Sequence, residues 1–120
     1  MHAGASAKVL LAFLKPSEIE TALSAAPFPR YTERTVTNLQ MLRSQLKDIR
    51  AAGYVVADGE VDVGVRGIAA PILDANEQVV ASSGIAGPEF RLNNHVLPSV
   101  ITAVQEAARV ISQKLCELDM

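Results

Sequence analysis

The hydrophobic pattern of this chain changes period near its middle, and that change leaves few possible folds. In residues 61–65 Val alternates with Asp and Gly, the two-residue period of a strand with one buried face. The apolar run IAAPIL at 68–73 continues the strand, and DANE at 74–77 has the Asp and Asn of a turn. Residues 78–87 form a second strand, so the pattern predicts an antiparallel hairpin. Pro71 has no N–H and is expected at an edge or a bulge.

Segments before the hairpin have the helical period instead. Residues 4–14 are rich in Ala and Leu and place Val9, Leu10 and Phe13 on one face. Ser17 is expected to cap a short second helix. The Pro-punctuated segment 26–35 predicts a loop.

The clearest helix covers residues 37–54. Thr37 and Gln40 have the spacing of a capping box, and Gly53 supplies a C-terminal stop. One amphipathic stripe follows from Leu39, Leu42, Leu46 and Ile49. The basic residues Arg43, Lys47 and Arg50 lie off that stripe, and we interpret them as a solvated face, with phosphate binding as the alternative.

A long final helix follows the hairpin. Asn93 or Asn94 is the expected cap, and Pro98 must lie in the first turn because it would break a helix interior. Its predicted apolar side consists of Val100, Ile101, Val104, Ala107, Ala108, Ile111 and Leu115. Helices, then a hairpin, then a helix indicate one domain of the α+β class.

Composition excludes several classes of function. Eleven Lys and Arg against 13 Asp and Glu give a net charge of −2, and the basic residues are not clustered, which argues against a DNA-binding surface. The chain has a single Cys, no apolar run long enough for a membrane span and no convincing signal peptide, so we expect a cytoplasmic protein.

Residues that could carry catalysis or bind a metal are scattered. His2 and His95 have no ligand partners at suitable spacing, and Ser82 and Ser83 lie in a strand rather than in a nucleophile turn. The alternating acidic residues at 58–62 are expected to be solvated. The sequence therefore predicts no enzyme, no metal and no cofactor.

Small residues instead mark the hairpin strands. Gly67, Ala69, Gly84 and Ala86 weaken a strand unless another group approaches closely. Two explanations remain open: a helix packs there, or these residues form the floor of a ligand cavity.

Four segments, in order, resemble one protein family. MHAGASAKVLLAFL at the start resembles a LHATALGKALLAFL-type helix, and LQMLRSQLKDIRAAGYVV resembles a helix that ends in Arg-x-x-Gly-Tyr. GVRGIAAPILDANEQVVASSGIAGP resembles GVRCIAAPVFDxxGxVVAALSVSGP, and residues 106–112 match an EAAxxIS segment. Together they resemble the effector-binding domain of IclR-family bacterial transcriptional regulators over nearly the whole chain.

The resemblance implies a GAF-like antiparallel sheet flanked by helices. It also implies that residues 1–120 are a partial effector-binding domain, without its first strands and without the N-terminal winged helix-turn-helix domain that would bind DNA. The implied partners are a small organic effector, such as an organic or aromatic acid, and further copies of the chain in a dimer or tetramer. A stand-alone module that binds a small molecule or dimerises, with no DNA control, is the alternative.

The family pocket, carried over by position, would be lined by Ala5, Ser6, Ala57, Val65, Gly67, Gly84 and Ala86. Gly67 stands where Cys is frequent, Gly84 and Ala86 where Ser is common, and Ala57 where an acidic residue is common. Few polar groups are left to fix a ligand, so we expect an effector larger or less polar than a two-carbon acid, or a degenerate pocket. Arg66 is a further candidate donor, with a solvent-facing position on the strand as the alternative.

Overall fold

The computed structural model describes residues 4–24, 32–33, 35 and 37–118, so His2 and most of the predicted loop lie outside the described residues. Four helices flank one antiparallel sheet, which confirms the α+β class. The elements are α1 (Ala5–Ala12), α2 (Pro16–Leu23), α3 (Leu39–Ala52), β1 (Val55–Asp58), β2 (Val65–Leu73), β3 (Val79–Pro88) and α4 (Leu97–Leu118).

The predicted hairpin is confirmed as β2 and β3, and β1 adds a third strand in the order β1-β2-β3. The hairpin turn is closed by Asp74, whose carboxylate accepts hydrogen bonds from the N–H groups of Asn76 (2.8 Å) and Gln78 (3.0 Å). Pro71 pairs with Ser82 of β3 and lies beyond the part of β2 that pairs with β1, so its missing N–H breaks no ladder on that side.

The first predicted strand begins later than the alternating valines suggested. Residues 61–64 form a turn in which Val63 is 83% exposed and Gly64 has a φ of 79°. The left-handed conformation of Gly64 is one that an extended strand does not contain. The alternation there reflects a tight connection between β1 and β2 rather than a half-buried strand.

The sheet separates two hydrophobic clusters. Val55, Ala57 and Ala69 face α1, whereas Ile68, Ala70 and Ile72 face α4. Because successive side chains of a strand point to opposite faces, the centre of β2 is buried on both sides and reads as a continuous apolar run.

Helix α1 lies between the sheet and α3, and this position corrects the face predicted for it. The buried residues of this helix are Ala5, Lys8, Val9, Leu11 and Ala12, while Leu10 and Phe13 are only half-buried. A helix that is packed on two sides buries more than one stripe. In α3 the predicted stripe is buried except for its first member, Leu39.

Helix boundaries depend on caps that differ from the predicted ones. Asn38, not Thr37, caps α3 and accepts a hydrogen bond from Met41 N at 3.1 Å. Helix α2 begins at Pro16 rather than after Ser17, because Pro fits the first helical position, which needs no donor.

The ends of the two longest helices follow the prediction more closely. Gly53 ends α3 in the left-handed conformation, as expected. Asn93 caps the turn before α4 by accepting from the N–H groups of His95 and Val96, and Pro98 lies in the first turn of α4. On the predicted apolar side of α4, Val104 and Ala108 are buried. Ala107 and Ile111 are exposed there, because the three-stranded sheet is too narrow to cover the whole stripe.

Candidate functional site

The first turn of α1 lies against β2 and β3, and a cavity of about 400 Å³ opens between them. Five of the seven residues that the family resemblance implies line it. Among the described residues, the lining consists of Gly4, Ala5, Ser6, Ala7, Gly67, Gly84, Ile85 and Ala86.

Cross-strand pairing explains why residues distant in the sequence meet here. Gly67 is paired with Ala86 on one side and with Ala57 on the other, and Gly84 is paired with Ala69 one step along the same face. Directly paired residues share a face of the sheet, so Gly and Ala form a patch almost without side chains.

The two glycines are also required by packing. A Cβ on Gly67 would lie 3.2 Å from the Cβ of Ala5, and a Cβ on Gly84 would lie 2.6 Å from the carbonyl oxygen of Ile68. Helix packing therefore accounts for Gly67, and backbone approach accounts for Gly84. The packing explanation is therefore confirmed, and α1 also leaves a cavity beside the contact. That a ligand occupies this cavity stays a prediction.

Two of the implied site residues do not reach the cavity. Ala57 lies in the same row as Gly67 but is only 4% exposed, and it belongs to the core beneath α1. Val65 is 37% exposed and pairs with Pro88 at the far end of β3.

The described part of the lining offers hydrogen-bond donors but no charged side chain. The N–H groups in the first turn of a helix have no acceptor inside that helix, and Gly4 provides no side-chain cap for α1. Those N–H groups and the exposed Ser6 hydroxyl are the polar groups of the lining. This arrangement suits a ligand with one oxygen acceptor and an apolar body.

Arg66 is neither solvent-facing nor part of this cavity. Its guanidinium lies on the opposite face of the sheet, 2.5 Å from the Asp58 carboxylate and 2.9 Å from the carbonyl oxygen of Leu92. A third bond, to Asn94 Oδ1, measures 3.0 Å. The hydrogen bond from Arg66 to Asp58 raises the pKa of Arg66. Arg66 therefore connects the segment before α4 to the sheet through these hydrogen bonds.

Comparison with known proteins identifies the family of this chain. A family model described as "Bacterial transcriptional regulator IclR C-terminal" matches residues 1–113. The chain belongs to this family. The HTH-type transcriptional regulator BhcR of Paracoccus denitrificans is 36% identical over 112 residues, which cover 93% of this chain and 40% of that protein. The chain spans less than half the length of such curated relatives.

Solved structures agree with this assignment to the IclR C-terminal family. A transcriptional regulator from Rhodococcus sp. RHA1 gives a TM-score of 0.94 at 33% identity, over 99% of this chain and 49% of that chain. The C-terminal domain of KdgR from E. coli gives 0.88 at 32% identity, over 96% and 70%. These relatives are transcriptional regulators and not enzymes.

This IclR-type domain contains a second polar cluster, which the sequence pattern did not predict. Glu60 was expected to be solvated, but it is only 8% exposed and its Oε1 lies 2.5 Å from Nζ of Lys8, which is 1% exposed. Lys8 Nζ also donates to Gln45 Oε1 at 2.5 Å. The Lys8–Glu60 contact is an ion pair without hydrogen-bond geometry at Glu60 Oε1. This ion pair connects α1 to the loop between β1 and β2, and Lys8 directly follows Ala7, a lining residue of the cavity.

A larger depression, of about 690 Å³, lies between α4 and the end of β2. One of its polar groups, the Ser112 hydroxyl, accepts from Leu73 N at 3.1 Å and donates to the carbonyl oxygen of Ala108 at 2.8 Å. That hydroxyl is already bonded within the domain. We therefore favour the smaller cavity, beside the first turn of α1, as the candidate functional site, because its helix N–H groups lack a side-chain cap.

Within the described residues, no three His, Cys, Asp or Glu side chains come together in a way that could hold a metal ion. The same part of the chain contains no helix with the length and apolar character of a membrane span.

Proposed function

We propose that this IclR-type domain senses a small organic effector in the cavity beneath the first turn of α1. The observation that carries the proposal is the position of the α1 N-terminus directly over the Gly67–Gly84–Ala86 patch. A cavity of about 400 Å³ is within the range that binds small ligands.

The lining supports a particular ligand chemistry. An acceptor oxygen would bond the first-turn N–H groups near Ala5 and Ser6, and an apolar body would lie on the glycine and alanine patch. A helix N-terminus stabilises a negative charge by about 0.3–1 kcal/mol, far less than a buried cation would. We therefore expect effectors with a single carboxylate or carbonyl group and a body larger than two carbons.

Effector binding would act through the position of α1. The ligand would contact both α1 and the sheet, so it would favour one arrangement of the two and shift the equilibrium towards it. In a regulator of the relatives' length, that shift would control a DNA-binding region outside these 120 residues. Such a protein would act in the cytoplasm, where it can reach DNA.

A thermal-shift screen of small acids, ketones and aromatic acids tests this function. A ligand present at about 100 times its Kd adds about 2.7 kcal/mol of stability, which is several degrees in Tm. Ala86→Leu should fill the cavity and abolish the shift without lowering the Tm of the free protein, whereas Ala103→Leu on exposed α4 should leave it intact. A ligand that stabilises the Ala86→Leu variant equally well would refute the assignment.

Self-association is a second proposed property, and the edge of β3 supports it. Within the described residues β3 has a partner strand on one side only, and none of its ten residues is charged. Uncharged, unpaired strand edges tend to pair with other chains. Sedimentation velocity should show concentration-dependent dimers or tetramers that Ile85→Lys removes and Val63→Lys does not. A monomer at all concentrations would exclude this use of the edge.

A further inference from the structure

A separate groove of about 330 Å³ lies between α2 and α3, on the side of α1 away from the sheet. Its apolar part is formed by Ala12, Pro16, Ile19 and Leu46, and its charged residues are Glu20, Arg43, Lys47 and Arg50. The three basic residues are those that the sequence suggested to be a solvated face. Lys47 and Arg50 are exposed and the Arg43 side chain is 42% exposed, so this face is solvated as expected, and it also borders an apolar floor.

The charges of the groove do not balance. Glu20 is the one acidic residue among the described residues of the groove, and its carboxylate lies 2.6 Å from Arg43. Arg50 bonds the carbonyl oxygens of Ala12 (3.3 Å) and Leu14 (3.1 Å), so it caps the C-terminus of α1. Lys47 has no ion pair or hydrogen bond within the described ranges. Among the described residues, Lys47 and Arg50 are therefore left without a carboxylate counterion beside the apolar floor, and Lys47 also lacks a hydrogen-bond partner.

Arg43 supplies an independent indication. Its Nε is shielded from solvent and has no acceptor in the described part of the chain. The Arg43 side chain as a whole is nevertheless 42% exposed, so its guanidinium can be reached from solvent at other atoms. A ligand carboxylate that bonds those exposed atoms would lie beside Glu20 and near Lys47, which is four residues along the same helix face.

We propose that the groove between α2 and α3 binds a small amphipathic carboxylate, with its acid group between Arg43 and Lys47 and its apolar tail on Ile19 and Leu46. The volume fits a small molecule. This site differs from the sheet cavity in having cationic side chains and in lying on other elements. The proposal does not rest on the proposed effector site.

NMR titration of the chain with sodium hexanoate tests the proposal, with hexan-1-ol and hexylammonium as matched probes. Hexanoate should shift backbone amide resonances in α2 and in residues 43–50. Hexan-1-ol should bind several-fold more weakly, and hexylammonium should not bind. Lys47→Gln should weaken hexanoate about two- to five-fold, as loss of an exposed ion pair does. The control Lys114→Gln, which makes the same charge change on α4, should have no effect.

Ile19→Ala tests the apolar floor, and it should weaken hexanoate and hexan-1-ol alike. Two results would overturn the proposal: equal binding of hexylammonium and hexanoate, or hexanoate shifts confined to residues 4–7 and 84–86. The second result would assign the acid to the sheet cavity and so support the proposed effector site. Failure of the effector screen, by contrast, would leave shifts at residues 43–50 unaffected.

Discussion

Replacement of Lys8 by Met should destabilise the domain strongly. The ammonium of Lys8 is 1% exposed, and its two partners are Glu60 and Gln45, both at 2.5 Å. Met has a similar length and fills the space, so the apolar packing of α1 stays nearly the same. What changes is that the carboxylate of Glu60, a residue only 8% exposed, loses its counterion.

The expected cost follows from that uncompensated charge. Loss of one partner of a buried ion pair costs about 3–5 kcal/mol, whereas replacement of both partners is often close to neutral. Lys8→Met should therefore cost at least about 3 kcal/mol. At about 4 °C per kcal/mol for a domain of this size, the Tm should fall by about 10 °C or more. Lys8→Met/Glu60→Gln should recover at least half of the loss.

Urea unfolding followed by circular dichroism at pH 7 measures the free energy of unfolding of the single and the double variant, and so the coupling between Lys8 and Glu60. Lys114→Met is the matched control, since Lys114 is exposed on α4 and its replacement should change stability by less than about 0.5 kcal/mol. The reasoning fails if Lys8→Met costs less than 1 kcal/mol, or if the double variant is no more stable than the single one.

Three further predictions concern other contacts. Gly84→Ala should cost about 1–3 kcal/mol of unfolding free energy in urea, because its Cβ would lie 2.6 Å from a carbonyl oxygen. The control Gly87→Ala should cost less, since its Cβ would have no contact under 3.5 Å. Equal costs would contradict the strand geometry. The hydrogen bond from Arg109 lowers the pKa of Glu106 below its ordinary value, so the stabilisation by this pair is present at neutral pH and is lost as pH falls through the lowered pKa. In Arg109→Gln the pKa of Glu106 measured by NMR should rise, and an unchanged pKa would exclude the pair. Asn38→Ala should cost about 1 kcal/mol of unfolding free energy and Asn38→Asp almost nothing, unless another residue caps α3.

The hairpin shows how far the hydrophobic pattern could predict the fold. The turn at Asp74 and the pairing of β2 with β3 followed from strand-like runs and turn residues that are close in the sequence. The start of β2 was wrong because Gly64 adopts a positive φ, and alternating valines do not reveal a backbone angle. The short strand β1 was not predicted, since VVAD is too short to establish a period.

The candidate site was predictable only through the family resemblance. Gly67, Gly84 and Ala86 were marked by composition as well, but nothing local connects them with Ser6 in α1. Ala57 shares their face of the sheet and still lies outside the cavity, because α1 covers it. Whether a small residue forms a cavity wall or a packing contact depends on the element that lies above it.

By itself, the sequence determined the existence of the main helices, the hairpin and the family, because these depend on residues near one another or on ordered motifs. Tertiary structure alone decided which charged groups are buried. Glu60 has the same sequence pattern as its exposed neighbour Asp62, and it is buried because the fold places Lys8 of α1 beside it. Burial and pairing are set by distant segments that meet in space, and the cost of an unpaired charge follows only from that meeting.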